Sequence, residues 1–148
     1  MEDINNRFIL IAPDGGSLKK IYKVAEQIGY KGDIITCSKE RDEQGKLSKV
    51  DVPICERHLG YDYIIVDDIC DGGATFLNIA KEIKNIYENN DEIDEPLPKI
   101  YLIVTHSIFS KGTDELLKYF DGIYCTNSYK EIDLSISNVY GVKQLNVF

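Results

Sequence analysis

The run Tyr63-Ile64-Ile65-Val66, followed by Asp67-Asp68-Ile69-Cys70-Asp71-Gly72-Gly73-Ala74-Thr75-Phe76, constrains the fold more than any other part of the chain. Four consecutive apolar residues without alternation read as a strand buried on both faces, the mark of a parallel sheet. Phe76, Ile79, Ala80, Ile83 and Tyr87 then recur at helical spacing, so strand, turn and helix follow one another within a few residues. Gly72, Gly73 and Ala74 leave room for backbone N–H groups to approach a ligand. The helix start adds donors without intrahelical partners, and Thr75 adds a hydroxyl. A turn of this kind suits a phosphate. Asp67 and Asp68 would repel that phosphate unless they face something else, such as sugar hydroxyls or a hard cation. Neither a Gly-Lys-Ser/Thr phosphate loop nor a Gly-x-Gly-x-x-Gly dinucleotide fingerprint is present.

The rest of the chain alternates in the same way. Phe8 to Ile11 is a short apolar run, and Leu18, Ile21, Tyr22, Ala25 and Ile28 then keep a helical period that stops at Gly29. Between them Ile11-Ala12-Pro13-Asp14-Gly15-Gly16-Ser17 opens the helix, and its glycines permit a backbone nest for an anion. Asp33 to Cys37 reads as a second strand. Ser38 to Lys49 reads as a long, mobile polar loop that a ligand would order, carrying Lys39 and Arg41. Glu88 to Pro96 is acidic and reads as an exposed connection. Lys99 to Val104 is a further strand, Thr113 or Asp114 caps a short helix, Gly122 to Cys125 is another strand, and Val139 to Phe148 adds an edge strand. No repeat or linker divides residues 1–148, so the expectation is one α/β domain: a doubly wound, mostly parallel sheet with helices on both faces. Ligands then gather at the carboxyl ends of the strands.

Composition narrows the partners. With 148 residues, 43% hydrophobic and 28% charged, the chain has enough apolar material for one core. A formal charge of −8 argues against nucleic acid, whose phosphates need clustered Lys and Arg. No apolar run is of membrane length and the N-terminus lacks the order of a secretion signal, so no membrane partner is expected and the cytoplasm is the expected compartment. Cys37, Cys55, Cys70 and Cys125 lack zinc spacing and read as buried, reduced thiols. His106 reads as a hydrogen-bonded structural residue, and His58 as a surface residue.

Val66-Asp67-Asp68-Ile69-Cys70-Asp71-Gly72-Gly73-Ala74-Thr75 resembles the phosphoribosyl diphosphate (PRPP) binding motif of type I phosphoribosyltransferases. The resemblance implies that Asp67 and Asp68 contact the ribose hydroxyls and, directly or through them, Mg²⁺. By the same resemblance Asp71, Gly72, Gly73, Ala74 and Thr75 hold the 5-phosphate. The Ile11 to Ser17 segment resembles the Pro-Asp-x-Gly-Gly loop of PRPP synthetases, which implies a diphosphate site at Asp14, Gly15 and Gly16. Lys39-x-Arg41 resembles their catalytic Lys-x-Arg, a pair that stabilises charge on the transferring group. Thr105-His106-Ser107 and Thr126-Asn127-Ser128 are similar to later segments of the same enzymes. The match runs from about Ile11 to Ser128 and is similar to their C-terminal half only, without the half that carries most of the ATP site. The implied ligands are ribose 5-phosphate or PRPP, with ATP reached through a separate N-terminal half, in an oligomer of like or unlike chains. The chain alone is not expected to make PRPP. A base-transferring phosphoribosyltransferase and a non-catalytic PRPP-binding regulator, or partner of a full-length synthetase, are the alternatives.

Overall fold

The computed structural model describes residues 8–132 and 141–147. Strand β1 (Phe8–Ala12) leads into helix α1 (Leu18–Gln27), and β2 (Ile34–Thr36) follows. β3 (Ser38–Arg41) and β4 (Leu47–Asp51) come next, then β5 (Asp62–Cys70), α2 (Ala74–Glu88), β6 (Ile100–Ser107), α3 (Asp114–Leu117), β7 (Gly122–Thr126) and β8 (Val142–Leu145). Among the described residues the main sheet has six strands in the order β2-β1-β5-β6-β7-β8, every neighbouring pair parallel. The chain steps outward from β1 to β2 on one side and from β5 to β8 on the other. Right-handed crossovers therefore put α1 on one face and α2 with α3 on the opposite one. The expected doubly wound architecture is the one observed.

Burial follows from that arrangement. Leu10 and Ala12 of β1 pack with Ile21 and Ala25 of α1 and with Tyr30 on one face. Ile9 and Ile11 of β1, Tyr63 and Ile65 of β5, Leu102 and Val104 of β6, and Phe76, Ile79, Ala80 and Ile83 of α2 form the larger core on the other. Tyr63 is wholly buried, yet its hydroxyl is satisfied: it donates to the His58 carbonyl at 2.9 Å and lies 3.0 Å from the Tyr87 hydroxyl. The apolar period of α1 overreaches at two positions, since Tyr22 and Ile28 are exposed. Tyr30, beyond the helix, takes their place by stacking on Phe8, with its hydroxyl 2.9 Å from both the Phe8 and the Asp33 carbonyl oxygens.

Three expectations are corrected. Ser38 to Lys49 is not a loop but most of an antiparallel hairpin, β3 with β4, with a bulge between Glu40 and Arg41. Its turn is built by Asp42 Oδ1, which accepts the N–H groups of Gln44 and Lys46, and by Gly45 at φ +78°. The strand period is invisible in sequence because both faces are largely solvated; only Val50 is buried, with Lys39 and Leu47 half-buried. Second, β5 continues from Val66 through Cys70, where Asp67, Ile69 and Cys70 keep register with Val104, His106 and Ser107. The paired acids therefore lie within the strand rather than beyond it. Third, His58 is 5% exposed, while Cys55 is exposed and the other three thiols are buried. A single 3-10 turn over Glu56–His58 folds the imidazole inward. Glu88 to Pro96 is exposed apart from half-buried Ile93, as expected. Of the predicted C-terminal strand, residues 139, 140 and 148 lie outside the described residues.

Ile65 is fully buried at the centre of the sheet against α2. Ile65→Ala should lower the unfolding free energy by about 2–5 kcal/mol in chemical denaturation, the usual range for truncating a core isoleucine.

Candidate functional site

The site forms where the strand order reverses, between β1 and β5, the place at which ligands enter open α/β sheets. Asp14 follows β1 in the turn that opens α1. Its Oδ1 accepts the Ser17 N–H at 3.0 Å and lies 3.1 Å from the Ser17 hydroxyl. That hydroxyl is equally close, at 3.0 Å, to Asp67 Oδ1 at the far end of β5. Asp67 Oδ1 also accepts the Asp68 N–H at 2.8 Å, and Asp68 Oδ2 is bonded to Lys20 Nζ from the first turn of α1. From the other side Lys39 Nζ on β3 reaches Asp14 Oδ2 at 2.9 Å. Lys39, Asp14, Ser17, Asp67, Asp68 and Lys20 thus form one continuous polar chain across the strand ends.

The three carboxylates have different electrostatic settings. Partial burial works against ionisation of Asp14, but the Lys39 hydrogen bond and charge together with the Ser17 N–H and hydroxyl outweigh it and hold its pKa below the ordinary value. Burial pushes Asp67 above its ordinary value, with the adjacent Asp68 charge adding to the effect. The Lys20 hydrogen bond holds Asp68 below it. One acid of the pair is thereby poised to keep a proton longer than the other.

The turn after β5 is positioned by backbone and by a close contact. The Cys70 carbonyl accepts the N–H groups of Ile108 and Phe109, and the Asp71 carbonyl that of Ser110, so the turn is tied to the loop following β6. Gly73 is the N-cap of α2 at φ +80°, and a Cβ there would lie 3.2 Å from both methyls of Leu116. Only glycine meets both demands. Ala74, Thr75 and Phe76 open the helix, so their N–H groups have no intrahelical carbonyl. The Lys111 side chain runs past Gly72, its Cε 3.8 Å from where a Cβ would stand. Turn, helix start and lysine together offer an anion several donors.

Sequence reasoning placed Asp14, Asp67, Asp68 and Lys39 at strand ends, and the structure brings these four together. It does not bring in Arg41, whose Nη1 donates to the Gly45 carbonyl of its own hairpin turn at 3.0 Å. Lys20 and Lys111 were missed. Lys20 could have been found as the residue three after the cap position Ser17, on the first turn of a helix that follows a strand-end loop. Nothing local marks Lys111, because it meets Gly72 only through the fold. His106 is held as expected: Ser128 Oγ, which donates to the Thr105 carbonyl at 3.0 Å, lies 2.8 Å from His106 Nδ1. Thr126 Oγ1 donates to the same carbonyl at 2.7 Å. Among the described residues no group of three or more His, Cys, Asp or Glu side chains is gathered for a metal, and no helix is long and apolar enough to cross a membrane.

No protein-family model matches the chain. It is similar to ribose-phosphate pyrophosphokinases: 29% identical over 133 residues to that of Mycoplasmopsis pulmonis, covering 88% of this chain and 38% of the relative. Ribose-phosphate pyrophosphokinase 2 of Saccharomyces cerevisiae is 28% identical over 137 residues, with 90% and 39% covered. That of Pyrococcus abyssi is 25% identical over 107 residues, with 72% and 33% covered. The chain thus spans under two fifths of the length of these relatives and corresponds to their C-terminal part. In structure it is similar to phosphoribosylpyrophosphate synthetase from Mycobacterium smegmatis, at a TM-score of 0.68 and 18% identity over 95% of this chain and 41% of that one. The adenine phosphoribosyltransferase (APRTase) from Giardia lamblia, solved with 9-deazaadenine, matches at 0.54 and 19% over 88% and 73%. The fold is that of the type I phosphoribosyltransferases.

The Lys39–Asp14 pair has a measurable signature. In Lys39→Met, Asp14 should titrate at higher pH than in the parent, read from its carboxyl chemical shift. The pair's stabilisation is present above the ordinary carboxylate value of 3.8 and is lost as pH falls through the depressed folded value, so the variant should lack that part of the acid-dependent stability.

Proposed function

We propose that the strand-end site binds ribose 5-phosphate or PRPP with Mg²⁺, and that the chain serves as the PRPP-handling domain of a ribose-phosphate diphosphokinase. The observation that carries this reading is the polar chain joining Lys39 and Asp14 to Asp67 and Asp68 at the strand-order reversal, next to a donor-rich helix start. An ordinary structural network would not need an anion turn within reach of two adjacent acids. A phosphorylated sugar needs both, and similarity to the C-terminal part of ribose-phosphate pyrophosphokinases over most of the chain points the same way.

In this reading Asp67 and Asp68 accept hydrogen bonds from the ribose diol. Asp71 to Thr75 receive the 5-phosphate, with Lys111 as a point charge beside Gly72. Asp14, Gly15 and Gly16 stand on the diphosphate side. The residues present fit magnesium: two adjacent carboxylates suffice for an ion that keeps several waters and takes its remaining oxygens from the ligand. Magnesium would supply charge neutralisation on the phosphoryl oxygens. In the complete reaction the anomeric hydroxyl attacks the β-phosphorus of ATP and AMP departs, so catalysis is positioning and charge stabilisation. Lys39 leaves Asp14 for the transferring group, and Arg41 gives up the Gly45 carbonyl to join it. The ATP contacts come from a separate N-terminal half, and the working assembly is an oligomer of like or unlike chains. The base-transferring alternative takes second place because it needs a hood over the base, and of the two stretches that could supply one, Leu47 to His58 and the C-terminal segment, the first spends Val50 and Val52 on the core.

Calorimetry tests this directly. PRPP with Mg²⁺ should bind the parent, free ribose far more weakly, and the double variant Asp67→Asn, Asp68→Asn should lose about tenfold or more in affinity (~1.4 kcal/mol) while keeping its melting temperature. Equal affinity in variant and parent would reject the site. Lys39→Ala and Arg41→Ala should each cost on the order of 10²–10³ in synthesis rate when an N-terminal half is supplied, the usual loss for a removed transition-state donor.

A further inference from the structure

Lys20 stands in the strand-end site without a part in the ribose-phosphate reading. Its Nζ is bonded to Asp68 Oδ2 from the first turn of α1. The Asp68 hydrogen bond leads in raising the Lys20 pKa above its ordinary value; desolvation opposes it, and the charges of Asp68, Asp67 and Asp14 add to the rise. All three acids of the site therefore act on this one ammonium. It is within electrostatic reach both of the diol acids on β5 and of the Asp14 turn that opens its own helix.

The pair with Asp68 is loosely built. The Lys20 side chain is 54% exposed, against 17% for Lys39 in its pair with Asp14. An exposed ion pair gains little over two solvated charges, and a lysine on a flexible stem with little packing to lose changes partner at small cost. The acids that fit magnesium are also few: among the described residues no group of three or more His, Cys, Asp or Glu side chains is gathered for a metal. A divalent cation arriving by itself meets two carboxylates, one of them already bonded to an ammonium, and gives up water for little return. A cation arriving on a diphosphate brings further oxygen ligands with it, and also an anion that can take the displaced ammonium.

We infer that Lys20 exchanges partners on binding: it holds Asp68 until a divalent cation arrives with a diphosphate-bearing ligand, then yields Asp68 and donates to the diphosphate on the Asp14 side. The 5-phosphate turn is served by Lys111 beside Gly72, which leaves the diphosphate as the anion for Lys20. The exchange makes Lys20 oppose the cation alone and favour the cation together with its diphosphate, so the two bind as a unit. It rests on the ribose-phosphate reading of the site and adds an order of binding to it.

The test uses the full chain, with Mn²⁺ as the probe cation, and compares the parent with Lys20→Met, Lys20→Arg and Asp68→Asn. Unfolding midpoints check that each variant folds. Mn²⁺ alone, counted as free ion by electron paramagnetic resonance, should bind Lys20→Met about three- to fivefold more tightly than the parent, the scale of a removed exposed pair. PRPP, titrated calorimetrically with Mn²⁺ in excess, should show the opposite sign and bind Lys20→Met about tenfold more weakly, the scale of a lost charge-assisted hydrogen bond. Ribose 5-phosphate, which has no diphosphate, should bind parent and Lys20→Met alike under the same conditions. Lys20→Arg should follow the parent throughout, and Lys20→Met added to Asp68→Asn should bring no gain for Mn²⁺ alone. An unchanged affinity for Mn²⁺ alone in Lys20→Met, or an equal loss for PRPP and ribose 5-phosphate, would overturn the exchange and leave the ribose-phosphate reading standing. Absence of PRPP binding to the parent would overturn both.

Discussion

The parallel pairing of β1 with β5 is the constraint on which the rest hangs. Leu10 faces Ile64 and Ile11 faces Ile65 across that ladder, and both strands are covered on both sides. A parallel pair cannot be joined by a tight turn, so the chain between the two strands has to leave the sheet and return. It does so through α1, β2 and the β3–β4 hairpin. Everything that the strand-end site gathers from that excursion, including Ser17, Lys20 and Lys39, is delivered by the same topological need. The reversal of strand order at this pair then leaves a crevice that the two strand ends share.

Much of this was legible in the sequence because it was written in the apolar pattern. Tyr63 to Val66 is apolar at every position because β5 is covered on both faces, and Phe76, Ile79, Ala80, Ile83 and Tyr87 are the buried stripe of α2. The acids and glycines next to such strands were legible for the same reason, since strand ends in this architecture are where ligands meet the chain. The hairpin was not legible. Its residues make few core contacts, so no period of burial stood out, and its order comes from backbone pairing and the Asp42 turn. Tyr22 and Ile28 show the converse error, apolar side chains at helical spacing that the sheet does not cover.

The site was legible by position but not by partnership. Asp14, Asp67 and Asp68 stood out as strand-end acids, yet which cation answers each of them is a three-dimensional matter. Lys20 is 48 residues from Asp68, and Lys39 is 25 from Asp14. Arg41, two residues from Lys39 on a strand, would share its side of a regular ladder, but the bulge after Glu40 interrupts that alternation. His58 was misjudged because polar neighbours in sequence say little about a side chain that a single 3-10 turn rotates under the chain.

The Ser17 hydroxyl, placed between two carboxylates, carries one further implication. It has a single hydrogen to give, and Asp14 Oδ1 at 3.1 Å and Asp67 Oδ1 at 3.0 Å both stand ready to take it. At any instant one acceptor has the bond and the other has lost it. The two arrangements are not equivalent, because Asp14 sits below and Asp67 above the ordinary carboxylate pKa. A hydrogen bond donated to either acid from outside would favour the arrangement that gives the Ser17 proton to the other, so the two carboxylates are coupled through the position of one hydrogen.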